Sequence, residues 1–379
     1  MIISTGMRTD IPAFYSKWFL NRIREGFVYV RNPYYPNQVT KYNLSPDIVD
    51  CIAFCTKNPI PLILHLDELN AYRQFWFITI TPYGKDIEPN VPDKSKIIEG
   101  FKTISSRVGK KAIGWRYDPV FYGNGFNLER HITEFEKLAV ALKGFTDSCV
   151  LSFLDLYKKV QRNAPGIYPP NIEEQKILGK RLAEIAKANG ITIRSCCEGT
   201  HLAEFGVDVS GCQTKEVIER AIGETLYIRE RKSQRGVCNC LLGKRLAEIA
   251  KENGITIRSC CEGTHLAEFG VDVSGCQTKE VIERAIGETL HIHERKSQRG
   301  VCNCLLGKDI GAYDTCGHLC KYCYANMDKE LVLKNMRMHN PNSPFLIGNN
   351  QNGDKITEAK QVSFIKKQME IHRYTGDRK

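Results

Sequence analysis

The sequence predicts an α/β fold, a complete or partial (β/α) barrel, and three observations carry that reading. Short apolar, β-branched runs alternate with amphipathic stretches along most of the chain. Strands separated by helices imply a parallel sheet joined by right-handed crossovers. Nearly every apolar run is followed by polar groups, and barrel enzymes build their sites at the C-terminal ends of strands. Six or seven such units fit a chain of 379 residues, which is long enough for one large barrel or two domains.

The elements follow in order. IIST (2–5) is the first strand and AFYSKWFLNRIREG (13–26) the first helix, its aromatics on one core-facing side. CIAFCT (51–56) and FWFITIT (75–81) are the next strands. DKSKIIEGFKTISSRVG (93–109) is a helix ending in glycine. AIGW (112–115), the helix LERHITEFEKLAVALKG (128–144) and CVLSFL (149–154) continue the alternation. GKRLAEIAKANG places Leu182, Ile185 and Ala186 on one helical face, and Gly190 caps it. ITIRS (191–195) is a short strand and KEVIERAIG (215–223) a helix. A last strand is expected near DIGAY (309–313).

The polar groups after these strands are Arg8 and Asp10, Lys57 and Asn58, Tyr83 and Glu88, Arg116 and Asp118, then Asp155 and Tyr157. Cys196, Cys197 and Glu198 follow the sixth strand. Singly each is an ordinary loop residue. As a set they mark one end of a barrel.

Hydrophobic residues make up 42% and charged residues 26%, which excludes a disordered or fibrous chain. No apolar run approaches the roughly 20 residues needed to span a bilayer. With no basic-then-apolar leader at the N-terminus, a cytoplasmic location is expected. The net charge of +11 admits nucleic acid or an anionic metabolite and does not choose between them. The 16 cysteines are the informative count, because in a reducing compartment thiols at such density read as metal ligands rather than disulfides.

Residues 177–240 and 241–304 are the same sequence apart from four pairs: Ile177/Leu241, Ala188/Glu252, Tyr227/His291 and Arg229/His293. True structural repeats drift further while keeping a pattern. This is a recent tandem duplication or an assembly error, not a functional array. The chain then divides into N-terminal βα units (1–176), copy 1 (177–240), copy 2 (241–304), a cysteine segment (305–348) and a C-terminal tail (349–379). Basic groups at 365–368 and 372–379 read as a solvated terminus.

The sharpest motif is YDTCGHLCKYCYAN (313–326), which gives Cys316-x3-Cys320-x2-Cys323 with Tyr322 before the last cysteine. Three thiolates can hold three irons of a [4Fe-4S] cluster and leave the fourth open to a small chelating molecule. A zinc ribbon is the alternative; it needs a second pair, for which Cys302 and Cys304 are available. The x3 gap and the aromatic favour the cluster. His318 is expected to orient the loop rather than bind iron.

This spacing resembles the signature of radical S-adenosylmethionine (SAM) enzymes, and the wider phrase is similar to their spore photoproduct lyase-like branch. The resemblance implies that Cys316, Cys320 and Cys323 hold a [4Fe-4S] cluster with Tyr322 beside it. SAM would chelate the open iron, and one electron would cleave it to a 5′-deoxyadenosyl radical. It also implies a reductant such as ferredoxin or flavodoxin. The whole chain resembles the bacterial family of domain of unknown function 1848, through RTDIPAFYSKWFLNRIREG, CTKNP, TPYGKDIEPNVP, WRYDP, SFLDLY, the cysteine segment and SPFLIG. That family has tryptophan where Cys55 stands, and a single copy of the duplicated unit. The cluster motif of radical SAM enzymes usually follows the first strand. Its late position here implies a circularly permuted barrel. No Gly-Gly-Glu for the SAM amino group occurs in the chain.

A second metal site is expected from Cys260, Cys276, Cys302 and Cys304 of copy 2, an auxiliary [4Fe-4S] cluster or a structural zinc. Cys196, Cys212, Cys238 and Cys240 are the equivalents in copy 1. On the radical SAM reading Arg8, Asp10, Lys57, Arg116, Asp118 and Glu262 line the catalytic cavity. The substrate is open, with nucleic acid one candidate. Two other functions compete: an iron–sulfur electron-transfer or sensing protein without SAM turnover, and a zinc-stabilised nucleic-acid-binding protein.

Overall fold

A computed structural model of the chain describes residues 1–195, 201–210, 212, 214–226, 308–361 and 363. Copy 2, with Cys260, Glu262, Cys276, Cys302 and Cys304, lies outside the described residues. So do Cys196, Cys238 and Cys240 of copy 1.

β1 (Ile2–Ser4) leads to α1 (Ile11–Phe14) and α2 (Ser16–Glu25). A hairpin of β2 (Phe27–Arg31) and β3 (Gln38–Asn43) precedes β4 (Cys51–Thr56), the short α3 (Ile60–Ile63) and β5 (Gln74–Thr79). Then come α4 (Lys94–Val108), β6 (Ile113–Val120), α5 (Leu128–Leu142), β7 (Ser148–Phe153) and α6 (Lys158–Asn163). Copy 1 supplies most of α7 (Ile172–Ala188), all of β8 (Thr192–Ser195) and α8 (Lys215–Ile222). β9 (Lys308–Asp309), α9 (Lys329–Arg337) and β10 (Lys355–Glu358) complete the order.

Seven strands form one sheet in the order β8-β7-β6-β5-β4-β1-β9, every neighbouring pair parallel. β9, late in the chain, pairs with β1, the first strand. Among the described residues the edges β8 and β9 do not pair with each other, so the architecture established is a parallel α/β sheet. β10 joins β3 and β2 in a separate small sheet.

Side chains alternate across a strand, and here the alternation divides the core. Ile52, Phe54, Trp76, Ile78, Trp115 and Leu151 face a layer that includes Trp18, Phe19, Phe101, Phe135 and Leu182 from the helices. Cys51, Ala53, Phe75, Phe77 and Val150 face the other way and are covered by Val217 and Ile218 of α8. Both faces are buried, which explains why the strands read as unbroken apolar runs.

β6 departs from expectation. It was expected to end at Trp115, with Arg116 and Asp118 in the loop beyond. It runs to Val120, so both residues are strand residues, and the register shifts between Tyr117 and Val120. Pro119 cannot donate to the ladder, so the shift falls where pairing is already weakened.

Candidate functional site at the cysteine loop

β9 is only two residues long, yet it sets the site. Ile3 and Ser4 pair with Lys308 and Asp309, and Ile310 N donates to Ser4 O at 3.1 Å. The chain therefore leaves the sheet beside the C-terminal end of β1 and enters the loop carrying Cys316, Cys320 and Cys323. Backbone anchors fix that loop. Tyr15 Oη donates to Thr315 O at 2.6 Å, Asn90 Nδ2 to Gly317 O at 2.8 Å, and Lys321 N to Ile87 O at 3.0 Å. Asn326 closes the loop on itself, its Nδ2 donating to Cys316 O at 2.8 Å. Asp314 and Leu319 both have φ of 56°, the left-handed region in which non-glycine residues carry strain.

The three thiols are inside or half inside the protein. Burial pushes the Cys316 thiol well up, and the nearby charges of Cys323, Asp10 and Cys320 push it further. Cys320 is pushed up to about 12 by burial, with Lys57 pulling the other way. A cationic group beside Cys316 and Cys320 would offset the burial that opposes their thiolates. That donor set fits iron. Among the described residues no three His, Cys, Asp or Glu side chains converge on a single ion. A cluster does not require that convergence, because each cysteine binds a different iron.

Asp10 and His318 form one support. Asp10 caps α1, its Oδ1 accepting from Ala13 N at 3.0 Å, while Oδ2 accepts from Lys57 N at 2.8 Å and lies 2.8 Å from His318 Nε2. One carboxylate thus ties the ends of β1 and β4 to the cysteine loop. His318 Nδ1 lies 3.4 Å from Asn90 O, and its ring meets Phe14 edge-on at 4.6 Å. These contacts tie His318 to Asp10, Asn90 and Phe14.

Glu88 forms the second support. Its side chain is 1% exposed and is held by Lys57 and Lys94, each at 2.8 Å. Thr81 Oγ1 donates to it at 2.7 Å, and the Tyr322 hydroxyl donates to it as well. Burial alone would raise the Glu88 carboxyl, but the two ammoniums overcome this and hold it well below the usual carboxylate range. Burial also works against Lys57, where Glu88 and Cys320 prevail and leave it raised. At Lys94 burial prevails and lowers it.

The remaining expected residues divide into two places. Arg8 Nε pairs with Asp309 Oδ1 at 2.8 Å, locking the loop after β1 to β9. Arg116 pairs with Asp118 at 2.5 Å, and its Nη1 lies 3.3 Å from Cys55 Sγ. Ser152 Oγ donates to Asp118, so this group joins β4, β6 and β7. Cys212 of copy 1 is buried in the apolar cluster with Cys51, Val150 and Ile218.

Sequence reasoning missed Asn90, Lys94, Lys159 and Tyr15. Lys94 and Lys159 look like ordinary solvent lysines at helix starts. Only their place after strand ends, the rule that found Lys57, could have marked them.

A family model described as Domain of unknown function (DUF1848) matches residues 2–244 and 241–325. The chain belongs to the DUF1848 family. The second match begins where copy 2 begins and carries through Cys316, Cys320 and Cys323, so each copy lies within a DUF1848 match. No curated protein matches the chain. No helix among the described residues is long and apolar enough to cross a membrane.

Proposed function

We propose that this DUF1848 chain is a radical SAM enzyme of still open substrate, binding a [4Fe-4S] cluster through Cys316, Cys320 and Cys323. The observation that carries the reading is the loop itself: three buried or half-buried thiols beyond the C-terminal ends of β9 and β1, with the Cys323 charge opposing ionisation of both Cys316 and Cys320. When bound, the cluster would supply the electron that cleaves SAM to a hydrogen-abstracting 5′-deoxyadenosyl radical. The chain's own residues do the rest. Asp10 and His318 hold the loop against β1 and β4. Glu88 orients Tyr322 and places the Lys57 charge near Cys320, where it favours the thiolate. Arg116, Asp118 and Ser152 supply polar groups on the sheet face opposite the main helical layer. The order β9-β1-β4-β5-β6-β7-β8 puts the cluster strand first in space and last in sequence, which supports a permuted barrel.

The test is anaerobic reconstitution with iron and sulfide, then dithionite and SAM, reading 5′-deoxyadenosine. Production by wild type and none by Cys320→Ala is the expected result. A cluster that forms and never cleaves SAM would sink the enzyme reading in favour of electron transfer. Bound zinc and no cluster would sink both.

A further inference from the structure

α6 carries a lysine whose buried ammonium makes no hydrogen bond among the described residues. Val160 of that helix packs with Tyr83, Phe121 and Leu154 in the apolar cluster on which Tyr322 also rests, so α6 lies beside the cysteine loop. The neighbouring Lys159 Nζ is buried and makes no hydrogen bond among the described residues. Burial works against its ammonium, and the charges of Cys323 and Asp314 favour it. Asp314 Oδ1 accepts from Met327 N, and no hydrogen bond joins Asp314 to Lys159. Among the described residues, Arg8 is paired with Asp309, Arg116 with Asp118, and Lys57 and Lys94 with Glu88. A buried ammonium without an acceptor is costly, and an arriving anion removes that cost.

We propose that Lys159 anchors an anion subsite beside Cys323 and takes a carboxylate or phosphate oxygen of the small molecule that binds there. The subsite stands on the lysine's own surroundings; what reacts there rests on the function proposed above. The anion has two sources, the carboxylate of SAM or an acidic group of the substrate.

Wild type, Lys159→Met, Lys159→Gln and Lys159→Arg are compared, with circular dichroism and iron content confirming fold and loading. Calorimetric titrations use SAM, decarboxylated SAM and inorganic phosphate. The expected result is at least a tenfold loss of affinity for SAM or phosphate in Lys159→Met and Lys159→Gln, largely restored in Lys159→Arg. If SAM is the source, wild type prefers SAM to its decarboxylated analogue and Lys159→Met binds the two alike. If the substrate is the source, SAM affinity holds and phosphate affinity falls. Ligand-free Lys159→Met is also expected to melt above wild type, because an unpaired buried charge is gone. Unchanged affinities in the folded variants, or no binding of either ligand by wild type, overturn the proposal. The phosphate titration is repeated on protein isolated without iron, so failure of the radical reading leaves the subsite tested on its own.

Discussion

Glu88→Gln removes one negative charge from a site where two ammoniums converge. The side chain is 1% exposed and holds Lys57 and Lys94 at 2.8 Å each. Removing one partner of a buried ion pair costs roughly 3–5 kcal/mol, because the other charge stays buried. The amide oxygen keeps an acceptor, and Lys94, 30% exposed, can turn to water. Lys57, at 15%, has less room to do so. The lower part of the range, about 3–4 kcal/mol, is therefore expected. At roughly 2–4 °C per kcal/mol for a large domain, the melting temperature falls by about 6–16 °C.

The pH dependence has a definite sign. Glu88 has a depressed value in the folded protein, so its contribution is complete above the unfolded carboxylate pKa of about 4.3. It is lost as pH falls through the folded value. Lys57 is raised, so its contribution is complete below its unfolded pKa of about 10.4 and is lost as pH rises through its folded value. The gap between wild type and variant should stay level from about pH 5 to 9 and narrow in acid. Calorimetric melting of both proteins from pH 3 to 9 reads it directly. A gap below about 2 °C at neutral pH, or one that widens in acid, would refute the account of Glu88 as a buried double pair.

Three further outcomes follow from the same geometry. A Cβ on Gly6 would meet Cys55 O at 2.2 Å, so Gly6→Ala should cost about 1–3 kcal/mol in chemical denaturation, and a variant as stable as wild type would contradict that packing. Asp10→Ala should lose roughly 1 kcal/mol for the α1 cap, plus the tie to His318 and Lys57, and bind less iron per chain on reconstitution; full iron loading would contradict Asp10 as a loop support. Deleting residues 241–304 leaves every described strand and helix intact, and residues 305–308 repeat LLGK of 241–244. That protein should keep the wild-type circular dichroism signal per helix and its iron uptake, and a molten spectrum would show that copy 2 is needed.

The central strands β4, β5 and β7 were legible because they are largely apolar runs, and Cys51–Thr56 falls where its sequence places it. The end of β6 was hidden because Arg116, Asp118 and Pro119 read as loop chemistry, while pairing with Val150, Leu151 and Phe153 carries the strand through them. The small sheet was hidden for a different reason. β10 finds its partner β3 more than three hundred residues away, and no local pattern encodes that. At the site, spacing exposed the three cysteines, and strand-end position exposed Asp10, Lys57 and Glu88. Lys159 also follows a strand end, but nothing in a lysine at a helix start says that its ammonium will be buried.

Residues 8–18 and 309–343 meet at the site, beside the support from residues 57–94. Arg8 meets Asp309, Asp10 meets His318, Tyr15 meets Thr315, and Trp18 Nε1 donates to Ser343 O at 2.9 Å. These contacts stitch β1 and its helices to everything after β9. Copy 2 falls in sequence between α8 and β9, and among the described residues the sheet edges β8 and β9 do not pair with each other. The named contacts that hold the cysteine loop against β1 lie wholly within residues 3–94 and 308–343, so none of them involves a residue of either copy.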